Sequence, residues 1–205
     1  MKFSKASRLL LLGVVLVVID QVIKYLVKTN MDLGQQIFVC GQWFRLCFVE
    51  NEGMAFGMKF GGAVGKFFLS LFRIVLCGAL VWWISKLSKK AGTPAGVLVG
   101  LTLITAGAFG NIVDCLFYGM IFSASGWNEV AMLGGSYAPF MFGKVVDMFY
   151  FPIINTTWPE WLPWIGGKPF TFFDPVFNFA DSCVTVGAFY LILFQYKFFS
   201  SKDEK

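Results

Sequence analysis

Four long apolar stretches dominate the hydrophobic pattern of the chain, and more polar connections separate them. The stretches cover about residues 9–27, 67–84, 95–117 and 177–194. A helix needs roughly 20 apolar residues to cross the hydrocarbon core of a bilayer. The pattern therefore predicts an all-α membrane protein with four transmembrane helices.

The two longest connections, residues 28–66 and 119–176, have patterns of their own. Apolar and polar residues alternate between 36 and 49, which predicts a small β-containing segment at the extracytoplasmic membrane surface. The second connection is too long for a simple link, and its part from Phe149 to Pro175 contains five of the seven prolines and three tryptophans. This composition predicts a long aromatic outer loop that forms a lid at the membrane interface. Docking of a partner protein is the alternative interpretation.

The composition agrees with a membrane location. Of the 205 residues, 57% are hydrophobic and 14% are charged, whereas a soluble domain needs more polar residues to cover its surface. We therefore expect residues 1–205 to form a single integral membrane domain.

The basic residues are unevenly distributed, which predicts how the chain is oriented. The two terminal segments and the connection between the second and third spans contain nine basic and two acidic residues, whereas 28–66 and 119–176 contain six basic and seven acidic ones. By the positive-inside rule both termini are cytoplasmic, and both long connections face outward. The net charge of +5 thus indicates topology, and we expect no binding of nucleic acid.

The N-terminus also has features of a cleaved signal peptide, because basic residues precede the apolar run from Leu9 to Ile19. No small-residue cleavage site follows, and the run continues through Asp20 and Lys24. We therefore expect the first span to be retained.

Ionisable side chains inside apolar stretches are costly and usually functional. The polar residues of interest are Asp20 and Lys24 in the first span, Gly107, Asn111 and Asp114 on one face of the third, Asn178 and Asp181 at the start of the fourth, and Asp147 in the long connection. Asp20 and Lys24, one helical turn apart, either neutralise each other or orient a catalytic group. The stripe on the third span is either a packing seam with a satisfied hydrogen bond or part of a site.

The residue types restrict the possible chemistry. Histidine is absent, which excludes Ser-His-Asp and Cys-His nucleophiles and disfavours a zinc hydrolase. The five cysteines have no metal-type spacing. A hydrolase of this composition would use carboxylates or a Ser-Lys pair, and we expect no metal and no cofactor.

Asp147 and Asp181 are the candidate catalytic pair. Two close carboxylates share one proton, so the ionised one can activate water while the protonated one polarises the scissile carbonyl. A small transporter that conducts protons or cations through Asp20, Asp114 and Asp181 is a competing hypothesis, and a non-enzymatic assembly protein is a third. Neither alternative requires both Asp147 and Asp181.

Five motifs in order along the chain resemble those of the lipoprotein signal peptidase (signal peptidase II) family, the membrane aspartic proteases of bacteria. They are Asp20 with Lys24, Asn51-x-Gly53-x-Ala55-Phe56-Gly57, Gly107-Ala108-x-Gly110-Asn111-x-x-Asp114, Val146-Asp147 and Phe177-Asn178-x-Ala180-Asp181. The resemblance implies that Asp147 and Asp181 are the catalytic pair. It places Asn51, Gly53, Gly107, Asn111, Asn178 and Ala180 around the substrate, and makes Asp20, Lys24 and Asp114 supporting residues.

The same resemblance implies the substrate and the location. The substrate would be a prolipoprotein with a diacylglyceryl-modified cysteine, cleaved just before that cysteine. The protein would be a multi-pass enzyme of the bacterial cytoplasmic (inner) membrane, in contact with membrane lipid, with its active site near the outer face. We expect a monomer.

The chain departs from the family pattern at two places. Cys115 stands where the family usually has arginine after the acid, so that contact is missing or comes from elsewhere, with Arg73 as a candidate. Met148 separates Asp147 from Phe149, where the family usually has phenylalanine directly after the acid. The segment between the third and fourth spans is also longer than is usual in the family. Neither departure changes the candidate pair.

The predicted orientation can be tested by cysteine accessibility in a cysteine-free background. Because the basic connection between the second and third spans should be cytoplasmic, a cysteine at Ser88 should react only from the inside, and cysteines placed within 119–176 should react from the outside. Labelling at Ser88 by a membrane-impermeant reagent from the outside would contradict the orientation.

Overall fold

The fold is taken from a computed structural model, which describes residues 4–52 and 62–200. Its long helices are α1 (Lys5–Asn30), α2 (Gly62–Lys89), α3 (Ala95–Val113) and α5 (Phe179–Phe194). α3 continues through a π-helical turn (Asp114–Tyr118) into the short α4 (Gly119–Ile121), and the short α6 (Tyr196–Ser200) follows α5. These helices agree with the four predicted apolar stretches.

In the described part of the chain, three helices are long and apolar enough to cross a membrane. They are α1, α2 and the continuous helix from Ala95 to Ile121. α5 is apolar but has 16 residues, which corresponds to about 24 Å. The described residues thus contain three such helices, and a fourth crossing stays a prediction.

The first helix has the burial pattern of a helix in lipid. Its exposed side chains are apolar, for example Leu10 at 70% exposure, whereas its buried side chains include Asp20, Lys24 and Lys28. A water-soluble helix has the reverse pattern, with apolar residues inside. α1 therefore has an apolar environment outside the protein and its polar contacts inside it.

α3 lies at the centre of the bundle and packs against α1, α2 and α5. Two of its glycines lie at close contacts: a Cβ at Gly107 would overlap the Ala180 carbonyl oxygen, and one at Gly110 would lie 2.5 Å from an Asp20 carboxylate oxygen. Glycine thus allows α1 and α5 to approach α3 closely where polar side chains meet.

Four strands form an antiparallel sheet in the order β1 (Gln36–Cys40), β2 (Phe44–Asn51), β3 (Val145–Tyr150) and β6 (Val176–Phe177). The first two confirm the strands predicted between 36 and 49. The prediction that 119–176 is a loop is wrong in part, because β3 to β6 lie in it. The reason is burial: Val145, Val146, Asp147 and Met148 are all buried, so β3 shows no alternation in its sequence.

The remaining strands, β4 (Ile154–Thr157) and β5 (Pro169–Phe172), form a separate antiparallel pair. Trp158 packs on Phe170, with 4.6 Å between their ring centroids. Trp161 and Trp164, between the two strands, are 79% and 90% exposed. The aromatic segment is thus an ordered hairpin with two tryptophans at its tip.

An apolar cluster joins the sheet to the helix bundle. Its buried members include Val27 and Met31 from the end of α1, Tyr118 from the π-helical turn, and Val146 and Met148 from β3. One face of the sheet therefore rests on the ends of α1 and α3. Asp147, between Val146 and Met148 on β3, faces the other way.

The close contact at Gly107 predicts a specific sensitivity. The Gly107→Ala variant should unfold at a lower temperature in detergent, at a cost of about 1–3 kcal/mol, because the new Cβ would overlap the Ala180 carbonyl and force α5 away. Gly78→Ala is the matched control, since a Cβ there has no neighbour within 4 Å. Equal unfolding temperatures for the two variants would contradict this packing.

Candidate active site

Asp147 lies on β3 with its carboxylate held by two amides. The Asn178 side chain donates from Nδ2 to Asp147 Oδ1 at 2.7 Å, and Asn51 Nδ2 donates to Asp147 Oδ2 at 3.2 Å. The residue is 3% exposed. Both carboxylate oxygens are therefore oriented by donors from neighbouring segments.

Asp181 lies in the first turn of α5, as the sequence predicted. Asn178 is the N-cap of this helix. Its side-chain oxygen accepts from the Asp181 backbone N–H at 2.9 Å, and the Asn178 backbone N–H donates to Asp181 Oδ2 at 3.3 Å. Asn111 of α3 donates to Asp181 Oδ1 at 2.8 Å. This reciprocal cap fixes the acid where the helix N-terminus favours a negative charge.

The side-chain amides of Asn178 and Asn111 together connect the two candidate acids. Asn178 Nδ2 donates both to Asp147 and, at 3.0 Å, to the Asn111 oxygen, while the other end of Asn111 donates to Asp181. The structure thus brings together Asp147, Asp181, Asn51, Asn111 and Asn178, which the sequence distributes over four elements.

The environment favours a proton on Asp147 near neutral pH. Burial raises the pKa of Asp147 to about 7, and the negative charge of Asp181 acts in the same direction, while the hydrogen bonds from Asn51 and Asn178 oppose the rise. A buried acid beside a second acid can therefore stay protonated while its neighbour is ionised.

A buried ionic cluster lies directly behind these residues. Lys24 Nζ is 3.0 Å from Asp20 Oδ2 and 2.7 Å from Asp114 Oδ2, and it also donates to Asn111 Oδ1 at 2.7 Å. Gln21 Nε2 donates to both carboxylates, at 3.1 and 2.9 Å. Burial of these charges is tolerable because each is paired and hydrogen-bonded.

The cluster also holds the backbone next to each candidate acid. Asp20 Oδ1 accepts from the N–H of Ala180, the residue before Asp181, at 2.9 Å. Asp114 Oδ2 accepts from the N–H of Val146, the residue before Asp147, at 3.3 Å. Asp20 and Lys24 therefore do both things that the sequence left open: they neutralise charge and support the neighbouring acids.

Sequence reasoning missed Gln21. Its amide joins the two acids of the cluster, and its oxygen accepts from the Tyr118 hydroxyl at 3.2 Å. The sequence does place Gln21 beside Asp20 in an otherwise apolar run, which could have indicated a site residue. A glutamine at that position is equally compatible with the exposed surface of a helix.

The other predicted site residues have different surroundings. Gly107 and Ala180 lie in the contact between α3 and α5, and Ala180 is buried. Gly53, Ala55, Phe56 and Gly57, which follow Asn51 in its motif, lie outside the described residues. Within residues 4–52 and 62–200, no group of His, Cys, Asp or Glu side chains could hold a metal ion.

Arg73 of α2 lies beside Cys115, the position where the resemblance leads one to expect arginine. Its Nη1 is 3.7 Å from the Cys115 sulfur and donates to it. A guanidinium group is thus present next to this position, although it comes from another helix.

The chain resembles known proteins over most of its length. A family model described as signal peptidase (SPase) II matches residues 12–197. A lipoprotein signal peptidase of Porphyromonas gingivalis is 51% identical over 183 residues, covering 88% of this chain and 79% of the relative. One from Amoebophilus asiaticus is 36% identical over 179 residues, covering 86% and 72%. A solved structure described as a bacterial membrane enzyme matches with a TM-score of 0.63 and 26% identity, covering 97% of this chain and 93% of that chain.

The ionic cluster predicts a large effect of removing its cation. Lys24→Met should destabilise the protein by about 3–5 kcal/mol, because it leaves Asp20 and Asp114 buried without a positive partner. Thermal unfolding in detergent measures this, with Lys89→Met, an exposed lysine at the end of α2, as control. If Lys24→Met and Lys89→Met unfolded together, the cluster would not have the structural role described.

Proposed function

This chain belongs to the signal peptidase II family and removes signal peptides from lipoproteins, and on that premise we propose that Asp147 and Asp181 are its catalytic pair. The observation that carries the assignment is the shared amide of Asn178, which hydrogen-bonds Asp147 directly and reaches Asp181 through Asn111. It supports a close pair of acids in one hydrogen-bonded site. Burial and the charge of Asp181 raise the pKa of Asp147, which supports one shared proton, the arrangement that aspartic proteases require.

The proposed substrate is a prolipoprotein whose cysteine carries a diacylglyceryl group, cut on the N-terminal side of that cysteine. The names of the relatives support a lipoprotein substrate. The position of the pair supports membrane-bound precursors, because both acids lie where the apolar bundle meets the sheet. An apolar signal peptide could remain in the lipid while its end reaches the acids.

The proposed reaction uses one water and one shared proton. The ionised Asp181 takes a proton from the water, and the water oxygen bonds to the scissile carbonyl carbon. At the same time Asp147 gives its proton to the carbonyl oxygen. In the collapse of the resulting diol, the ionised Asp147 recovers a proton from a hydroxyl group and the proton on Asp181 passes to the leaving nitrogen. The C–N bond breaks, leaving a carboxyl group on the signal peptide, an amino group on the cysteine, and the starting protonation of the pair.

We place both termini in the cytoplasm and the active site near the outer face of the inner membrane. The nine-to-two excess of basic residues in the three short segments supports this orientation. α5 is the proposed fourth crossing: it begins at the buried site instead of at the membrane surface, so fewer residues suffice, and Lys197 follows it. We propose a monomer.

The pair predicts how its variants behave. Asp147→Asn and Asp181→Asn should each lower cleavage of a lipidated prolipoprotein by roughly 10⁴-fold, and the double variant should be scarcely worse, because residues that act as one unit are not additive. Asp174→Asn is the control, since Asp174 is exposed and pairs with the Tyr150 hydroxyl. Turnover near the wild-type rate in either single Asn variant would refute the pair.

We also propose that the β4–β5 hairpin is the lid predicted from the aromatic segment. Since Trp158 packs inside the hairpin, the two exposed tryptophans at the tip are the residues to replace. Trp161→Ala with Trp164→Ala should raise KM for a lipidated substrate with little effect on kcat, because uniform binding is lost. Trp127→Ala, an exposed tryptophan elsewhere, is the control; a large fall in kcat at unchanged KM would show that the hairpin positions the acids instead.

A further inference from the structure

A second buried lysine lies on α1, one helical turn beyond Lys24. The Lys28 side chain is fully buried and its ammonium forms an ion pair with Glu50 of β2. It also donates to the Ser125 hydroxyl at 3.0 Å. The rings of Phe48, Phe122 and Tyr137 surround it, with their centroids 5.9, 5.5 and 5.0 Å from Nζ. The proposed reaction uses none of these groups.

Glu50 connects three separate parts of the chain. One of its oxygens accepts from Lys28 of α1 and, at 2.9 Å, from Ser125 of the segment after α4. The other is 3.2 Å from Nζ of Lys144, the residue before β3. Burial alone would raise the pKa of Glu50, but its contacts with Lys28, Ser125 and Lys144 hold that pKa below the ordinary value. Glu50 therefore stays ionised and bonded to all three partners.

This cluster lies next to the candidate catalytic pair along the sheet. Glu50 pairs with Val146 and Asn51 pairs with Val145 in the register of β2 and β3. Asn51 Nδ2 donates to Asp147 at 3.2 Å. Among the residues that the structure describes, this bond is longer than the other two from side-chain amides to the two acids, which are 2.7 and 2.8 Å. A small displacement of β2 would break this bond before the others.

We propose that Lys28, Glu50 and Lys144 form a positioning unit for the cleavage reaction, which fixes β2 against α1 and the start of β3 so that Asn51 orients Asp147. The inference rests on the proposed function, since it assumes that Asp147 is catalytic. Lys28, Glu50 and Lys144 touch neither substrate nor reacting atoms in this account, and they act through Asn51.

The chemistry of the contacts supports positioning over simple stabilisation. A buried ion pair contributes little net stability compared with apolar residues of the same volume, but its hydrogen bonds have definite directions. Apolar residues in their place would fill the space and let β2 shift by fractions of an ångström. Misplacement of about 1 Å in a catalytic constellation can lower the rate roughly 100-fold.

The first test is Glu50→Gln, assayed by cleavage of a lipidated prolipoprotein across a pH series. We expect kcat to fall roughly tenfold or more at nearly unchanged KM. The alkaline limb of the kcat profile should move to higher pH, because Asn51's hydrogen bond lowers the pKa of Asp147 and would be weakened. The other groups that face Asp147, namely Asp181, Asn178 and Lys24, are unchanged in this variant.

Glu129→Gln is the matched control, since this exposed glutamate lies in the segment after α4 and outside the cluster. It should retain the wild-type kcat and pH profile. A Glu50→Gln variant with the same kcat and pH profile as Glu129→Gln would overturn the inference.

The second test separates positioning from stability. In the double variant Lys28→Met with Glu50→Leu, apolar side chains replace the ion pair, and we expect an unfolding temperature close to wild type with kcat still roughly tenfold low or lower. Recovery of kcat together with stability would overturn the inference.

Asp147→Asn distinguishes the two proposals: if it is active the proposed function fails, and if it is inactive while Glu50→Gln is unimpaired, only the positioning unit fails.

Discussion

The ammonium group of Lys24, buried between Asp20 and Asp114, is the interaction on which the geometry of the site depends. Without it two carboxylates would lie unpaired in a fully buried space, which is strongly unfavourable. With it, each carboxylate also accepts from a backbone N–H: Asp20 from Ala180, beside Asp181, and Asp114 from Val146, beside Asp147. The same ammonium orients Asn111, whose amide holds Asp181. A single charge thus helps to fix α1, α3, α5 and β3 relative to one another.

The membrane environment explains why such a cluster is possible. Where the outward surface is apolar, helices gain nothing by burying more apolar surface against each other, and close packing and interior polar contacts hold them together. The glycines of α3 meet the first requirement, since side chains at Gly107 and Gly110 would overlap the α5 backbone and the Asp20 carboxylate. Because these glycines have no side chains, the polar groups of α1 and α5 can reach α3. The close helix packing and the geometry of the site therefore depend on the same glycines.

Much of this could be predicted from the sequence, and what could not has physical reasons. The apolar runs predicted the helices, and Asp20, Asp114 and Asp181 in those runs indicated the candidate site, because charge in an apolar segment is conspicuous. Asp147 lies outside those runs. β3 stayed hidden because it is buried on both faces, and its partners lie far along the chain. Lys28 and Glu50 could not be paired from sequence, since each looks like an ordinary charged residue at a helix end or on a strand. Arg73 was noted, but only the fold shows that it reaches Cys115.

The central claim is that Asp147 and Asp181 share one proton and activate water together, and the pH–rate profile of the purified protein with a lipidated prolipoprotein tests it most directly. The account predicts a bell-shaped profile for kcat, with activity lost in acid when both carboxylates are protonated and lost in alkali, above about pH 7, as Asp147 gives up its proton. A rate independent of pH from about 5 to 9 would contradict it, because the pKa of Asp147, about 7, lies inside that range and the rate should change as Asp147 loses its proton.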